Sequence, residues 1–230
     1  MAMTIQTRRE RERAERERLI VTTARELAEA EGWDAVTTRR LAAEIEYSQP
    51  VLYSHFKGKG AIMAAVAEQG FAELAATLRA ARTGSPPEAA GRGVDSARRG
   101  EAGAAGTGEA GPDRTAGTPA TAGAAALAAV ASAYTDFAQQ RPALYDAMFT
   151  HAVDLPFATP EAPAPLRDAF GELVRAVAPL TGGDDPALLT ETFWAALHGL
   201  VTLTRSGRLP TADHAGRLSL LIARFAAAPD

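Results

Sequence analysis

Residues 37–59, TTRRLAAEIEYSQPVLYSHFKGK, decide how the whole chain is read. Their spacing predicts two short helices joined by a tight turn. The first runs from Thr38 to about Ile45, with Thr37 or Thr38 as N-cap and Arg39 and Arg40 in its first turn. Glu46 and Tyr47 make the turn, and Ser48 caps the second helix. Pro50 falls in that helix's first turn, where a missing N–H is tolerated. Leu41, Ala42, Ile45, Val51, Leu52 and Phe56 recur at helical spacing and face one small core. Gln49, Tyr53, Ser54 and His55 are left near the exposed side of the second helix. A helix-turn-helix uses such positions to reach base edges and phosphates in the major groove.

The net charge of −4 argues against a nucleic-acid partner until it is divided along the chain. Between 37 and 59, Arg39, Arg40, Lys57 and Lys59 stand against Glu44 and Glu46, a local surplus of two positive charges. Binding DNA requires a locally basic face, whatever the total. Upstream, Arg8, Arg9, Arg11, Arg13, Arg16 and Arg18 alternate with Glu10, Glu12, Glu15 and Glu17. That run reads either as a solvated helix face with i,i+4 pairs or as a basic arm reaching backbone or minor groove. Cysteine is absent, which excludes disulfides, a thiol nucleophile and a zinc finger and suits a reducing interior. No apolar run approaches membrane-spanning length, and the charged N-terminus resembles neither a signal peptide nor an anchor. The expectation is a cytoplasmic protein with no membrane partner.

At 230 residues and 47% hydrophobic content, the chain can bury a good core in one or two small domains. A first helix is predicted from about Arg9 to Glu31, with Leu19, Ile20, Thr23, Ala24, Leu27 and Ala28 on one stripe and Gly32 ending it. With the helix pair it makes a three-helix unit over residues 1–60. Lys59 to about Arg82 reads as a long helix, apolar at Ile62, Val66, Phe71, Leu74 and Leu78, and residues 61–82 form the connection. Residues 83–123 are rich in Gly, Ala, Pro and Thr, with Val94 as their one large aliphatic. Such a segment cannot offset roughly 1–2 kcal/mol of backbone entropy per residue, so a disordered linker is expected there. Residues 124–230 return to helical patterning. Helices are expected over 124–140, from Pro142, over about 165–177, over 186–206, and from Pro210 or Thr211 to about 227, with a loop over 154–165. No segment alternates as a strand, so the predicted class is all-α.

These residues carry a family likeness. The segment Leu19–Ala64 has Thr38-Arg39 opening one helix, S-Q-P-x-L-Y-x-H-F across Ser48–Phe56, and Lys59 opening the next. It resembles the N-terminal domain of the TetR family of bacterial transcriptional repressors. Trp194, His198 and Gly199, followed by LVTL and Gly207, look like the W-H-G type of TetR C-terminal domain. The resemblance implies a homodimer reading a near-palindromic operator in double-stranded DNA, one recognition helix per half-site. It implies base contacts by Arg39 and Gln49, methyl contacts by Pro50 and Val51, and phosphate contacts by Thr38, Tyr53 and Lys59. His55 matches a position on the same surface. Glu46 departs from the pattern, because the family usually has glycine in that turn. A left-handed backbone there costs a non-glycine residue about 1–2 kcal/mol.

The resemblance also implies a small-molecule effector held among the C-terminal helices. Tyr134, Phe137, Met148, Phe149, His151, Phe170, Phe193, Trp194 and His198 are candidates for lining its pocket, and each reads equally as ordinary core. Few formal charges occur among them, so a largely apolar or aromatic ligand is expected. Leu197, Leu200, Val201 and Leu203, with Leu218, Leu221, Ile222 and Phe225, exceed what a lone subunit needs. Two such helices from each subunit would pack as a four-helix dimer interface. The four histidines, His55, His151, His198 and His214, form no H-x-x-H or H-E-x-x-H pair, and G-x-S-x-G is missing. No catalytic constellation, metal site or cofactor is expected. The reading is a ligand-responsive DNA-binding regulator, a repressor released by its effector. The rival is a DNA-architectural or ligand-sequestering helical protein without regulated release.

Overall fold

The computed structural model describes residues 5–85, 119–151, 155–157 and 159–227. Among the described residues every regular element is helical. Helix α1 (Ile5–Glu31) starts earlier than its apolar stripe. Its first turns are exposed and carry the i,i+4 pairs Arg8–Glu12 and Arg13–Glu17, each at 2.9 Å. Such pairs add about 0.3–0.5 kcal/mol apiece. Ile20, Ala24, Leu27 and Ala28 then go into the core, while Leu19 stays exposed. Gly32, at φ 83°, ends α1 and leads into a 3₁₀ turn over Trp33–Ala35.

Helix α2 (Thr38–Glu44) is capped by Thr37, whose Oγ1 accepts the Arg40 N–H at 3.1 Å. Helix α3 (Gln49–His55) has Pro50 in its first turn, but Ser48 makes no side-chain cap bond. The Ser48 carbonyl accepts from Val51 and Leu52 instead. Leu41, Ala42 and Leu52 are buried, and Ile45 and Phe56 pack against them. Val51, predicted in this core, is exposed.

Between the two helices Glu46 takes φ 56°, the one positive value at a non-glycine residue among those described. The turn therefore keeps the left-handed shape in which glycine is free of strain, and the Glu46 Cβ bears the cost. Glu46→Gly is expected to raise stability by about 1 kcal/mol. The left-handed penalty of about 1–2 kcal/mol disappears, and glycine's greater freedom in the unfolded chain returns part of it. A urea midpoint that rises at constant slope is the expected readout. A lower midpoint would show that the Glu46 side chain contributes more than its backbone loses.

Helix α4 (Lys59–Thr83) is the spine of the molecule. It is long and apolar enough to cross a bilayer by length and composition, which corrects the sequence expectation. Its apolar residues have another use: Ile62, Val66, Phe71, Leu74 and Leu78 are buried, and α4 packs against α1, α5, α6 and α7. Helix α5 (Pro119–Gln140) begins before residue 124. Gly123 is buried, and a Cβ there would lie 3.2 Å from Leu180 and 3.5 Å from Pro179, so close packing holds the last residue of the segment expected to be disordered. The rest of the expected linker, residues 86–118, lies outside the described residues.

Helix α6 (Pro142–Phe149) closes tightly on α4 at Gly70, where a Cβ would meet Met148 Sδ at 2.6 Å. Helix α7 (Ala164–Val177) lies along α4. Its Glu172 is buried, yet it accepts from Arg79 Nε at 2.8 Å, Arg82 Nε at 2.9 Å and Arg175 at 2.9 Å. Helix α8 (Pro186–Arg205) is capped by Asp185, which accepts from Ala187 and Leu188 N–H at 2.8 and 3.1 Å. Helix α9 (His214–Ala226) packs across α5 and α8.

Candidate DNA-reading face and effector cavity

On the outer side of α2 and α3, Arg39, Gln49, Pro50, Val51 and Tyr53 are exposed. Thr38 Oγ1 and Tyr53 Oη lie 3.3 Å apart, so these two hydroxyls form one polar patch at the edge of that face. Arg39 has no carboxylate within 4.0 Å among the described residues, whereas Arg40 turns away to Glu31 at 3.0 Å and Glu44 at 3.7 Å. Two expected contacts are placed differently. His55 points inward: its side chain is 6% exposed and Nδ1 lies 3.3 Å from a Glu17 carboxylate oxygen. Lys59 donates from Nζ to the Trp33 carbonyl, so its ammonium fastens α4 to the 3₁₀ turn rather than standing in solvent. Lys57, one of the basic residues counted in this stretch but given no role, is exposed beside the α3 C-terminus.

A cavity of about 550 Å³ opens between α4, α5, α6, α7 and α8. Of the residues expected to line a pocket, Tyr134, Phe149, Phe170 and Trp194 do so here, joined by Phe71 and Leu74 of α4. Arg167 and Glu191 stand exposed at its rim with opposite charge. A second hollow of about 440 Å³ is lined by Met148, Phe149, His151, Trp194 and His198, one turn further along α8. Both share Phe149, Phe157, Trp194 and Ala195. Phe137 and Phe193 line neither hollow. Phe137 is buried beneath the Arg141 guanidinium at 4.9 Å, and Phe193 packs on Phe225 at 5.1 Å.

Between the two hollows runs a chain of hydrogen bonds. Trp194 Nε1 donates to Tyr134 Oη at 3.1 Å, Tyr134 Oη meets Tyr145 Oη at 2.9 Å, and Tyr145 Oη meets His198 Nδ1 at 2.7 Å. Burial pushes Tyr134 up to about 12 and raises Tyr145 as well, with the neighbouring Tyr134 adding to the second shift. Burial lowers His198 below the ordinary histidine range. Each ring is held in its neutral form at physiological pH.

The expected dimer residues divide. Leu197, Val201 and Leu218 are buried inside the chain, so their apolar area is already used and cannot serve a partner. Leu200, Leu221, Ile222 and Phe225 are half-buried against the same core. The apolar side chains that face outward on these helices are Leu188, Leu203 and Leu220, at 64%, 42% and 60% exposure.

Comparison with known proteins gives the frame for this geometry. Residues 20–66 match the pattern described as "Bacterial regulatory proteins, tetR family", and residues 127–225 match "Tetracyclin repressor-like, C-terminal domain". The tetracycline repressor protein class C of Escherichia coli is 47% identical over 49 residues. That match spans 21% of this chain and 22% of the relative's length. The fold is similar to that of a protein of unknown function from Rhodococcus sp. RHA1, with TM-score 0.65 and 22% identity over 91% of this chain and 93% of that one. A regulatory protein in the tetR family from Rhodococcus RHA1 matches with TM-score 0.53 and 18% identity over 93% and 98% of the two chains. With both terminal patterns matched over more than half of its residues, the chain belongs to the TetR family of DNA-binding transcriptional regulators.

Proposed function

We propose that the chain is a repressor that binds a near-palindromic operator as a homodimer and is released by a small, mostly apolar effector. The observation that carries this reading is the double attachment of α6. Its Met148 and Phe149 wall the hollows, while its N-terminus is bound by the DNA-reading unit. Glu29 of α1 accepts from the Ala143 and Leu144 N–H groups at 3.1 and 3.0 Å. Trp33 Nε1 donates to the Ala143 carbonyl at 2.7 Å. A carboxylate on free N–H groups at a helix N-terminus is a favourable charge–dipole contact. An effector that displaces α6 therefore pulls on α1 and on Trp33, whose carbonyl holds Lys59. Helix α4, which carries both Lys59 and the cavity residues Phe71 and Leu74, is the second link.

The outward faces of α8 and α9, with Leu188, Leu203 and Leu220, are the proposed dimer contact. A two-fold contact there sets the separation of the two α3 helices, which must be about 34–36 Å for successive major grooves. Arg39 and Gln49 are the proposed base readers, Pro50 and Val51 the methyl contacts, and Thr38, Tyr53 and Lys57 the phosphate contacts. The proposed setting is the cytoplasm.

Selecting DNA fragments bound by the purified chain is expected to return inverted repeats. Compounds that bind the cavity should weaken that complex with a coupling of about 1–3 kcal/mol. Glu29→Gln is expected to leave operator binding largely intact while blunting this release, because one end of α6 loses its charged anchor. Selected fragments without repeat symmetry would overturn the homodimeric reading. An operator complex indifferent to every compound that fills the cavity would overturn effector control and leave the architectural alternative.

A further inference from the structure

The hydrogen-bond chain from Trp194 to His198 has one assignment of protons that satisfies it. An indole nitrogen is a donor, so Tyr134 Oη accepts from Trp194 Nε1. Suppose His198 carried its proton on Nδ1 and gave it to Tyr145. Tyr145 would then donate to Tyr134, and the Tyr134 proton would be left without an acceptor in a side chain that is fully buried. Stranding a buried hydroxyl proton is unfavourable. Run the other way, Tyr134 donates to Tyr145 and Tyr145 donates to His198 Nδ1, and every proton has an acceptor. The imidazole is then the Nε2–H tautomer.

This fixes what the ring offers. Nδ1 is occupied, Nε2 carries the hydrogen, and the ring lines the 440 Å³ hollow between Met148, His151 and Trp194. Neither nitrogen of His198 is among the buried polar atoms that lack a partner, and no described residue pairs with Nε2. Phe149 and Trp194 flank the same ring at 5.3 and 6.3 Å between centroids, so the imidazole sits in an aromatic surround. His151 across the hollow is exposed to water and can present either nitrogen. The directional demand comes from His198.

Resting on the effector-binding reading above, we propose that the ligand is an apolar, aromatic-bodied molecule carrying a carbonyl-type oxygen that accepts the His198 Nε2–H bond. The aromatic body lies against Trp194 and Phe149, which both hollows share. The neutral state of the ring, which burial favours, keeps Nδ1 available to Tyr145 and so preserves the tautomer.

A pair of nearly isosteric probes tests this: 2-acetylnaphthalene and 2-isopropenylnaphthalene, which differ in C=O against C=CH2. Affinities can be read from quenching of Trp194 in a Trp33→Phe background, which leaves one indole in the chain. The ketone is expected to bind about tenfold more tightly, the value of one hydrogen bond in a mostly apolar site. In His198→Phe the ratio should fall to about one. Tyr145→Phe keeps His198 but removes the donor that fixes its tautomer, so the preference should shrink without vanishing. Because each readout is a ratio within one variant, a general loosening of the cavity cancels. Equal binding of both probes, binding of neither, or a ratio unchanged in His198→Phe overturns the proposal. Operator binding by the unsubstituted chain without probe tests the DNA-binding reading separately, and either result can fail while the other stands.

Discussion

Glu172→Gln is expected to lower the stability of the chain by about 2–4 kcal/mol. The Glu172 side chain is 1% exposed and receives guanidinium groups from both sides of the α4–α7 seam. Removing one partner of a buried ion pair typically costs about 3–5 kcal/mol, because the remaining charge has no compensation. That range is discounted here, since Arg79 and Arg175 are 56% and 57% exposed and can turn into water. Arg82, at 25%, cannot do so as easily. The pH dependence gives a second check. Burial alone would raise the Glu172 carboxyl, but hydrogen bonds from Arg79 and Arg82 and the charges of Arg82 and Arg175 hold it below the usual carboxylate range. The unfolded chain therefore binds the proton more readily as the solution is acidified. The stabilisation is complete above the ordinary value of 4.5 and is lost as pH falls through the lower folded value. Urea midpoints of the native chain and the variant should be far apart at neutral pH and converge in acid. A gap that stays constant into the acid range would show that Glu172 acts through its shape and packing, not its charge.

The DNA-reading unit was legible because its signals are local. Thr37 caps α2, Gly32 stops α1, and Pro50 sits in the first turn of α3, all within a few residues of what they control. Contacts between distant residues were not legible. His55 and Lys59 occupy motif positions that suggest DNA, yet their side chains meet Glu17 and Trp33, residues 38 and 26 positions away. The Glu29 contact with α6 joins residues 114 and 115 apart, and no periodicity signals it. In α8 the apolar residues fall on two faces. Phe193, Leu197 and Val201 share the inward one, while Leu188 and Leu203 share the outward one. Helical spacing reveals such stripes but cannot say which faces the chain's own core. The same ambiguity groups Phe137 with Tyr134 and passes over Phe71, although Phe137 faces a separate hollow beside Arg141. Tyr134 and Phe137 are both buried on α5, and only the packing of α4 against α5 decides that one reaches the cavity.

Alanine at Arg39 and Gln49 together is expected to remove most discrimination between the operator and a scrambled duplex. A guanidinium pairs with guanine O6 and N7, and a carboxamide with adenine N6 and N7, each worth about 1–3 kcal/mol against the wrong base. Both side chains are exposed, and Arg39 is not drawn to any described carboxylate, so neither must break an internal bond to reach a base. Arg40 provides the control. Its guanidinium is engaged by Glu31 and Glu44, and Arg40→Ala should cost discrimination far less. Lys57→Ala should behave in a third way, weakening operator and scrambled duplex alike and reducing the salt slope by about one. Competition binding over a range of salt concentrations separates the three. If the Arg39 and Gln49 changes lowered affinity for both duplexes by the same factor, they would be backbone contacts. Base reading would then fall to Pro50, Val51, Tyr53 and Ser54, the remaining exposed residues of α3.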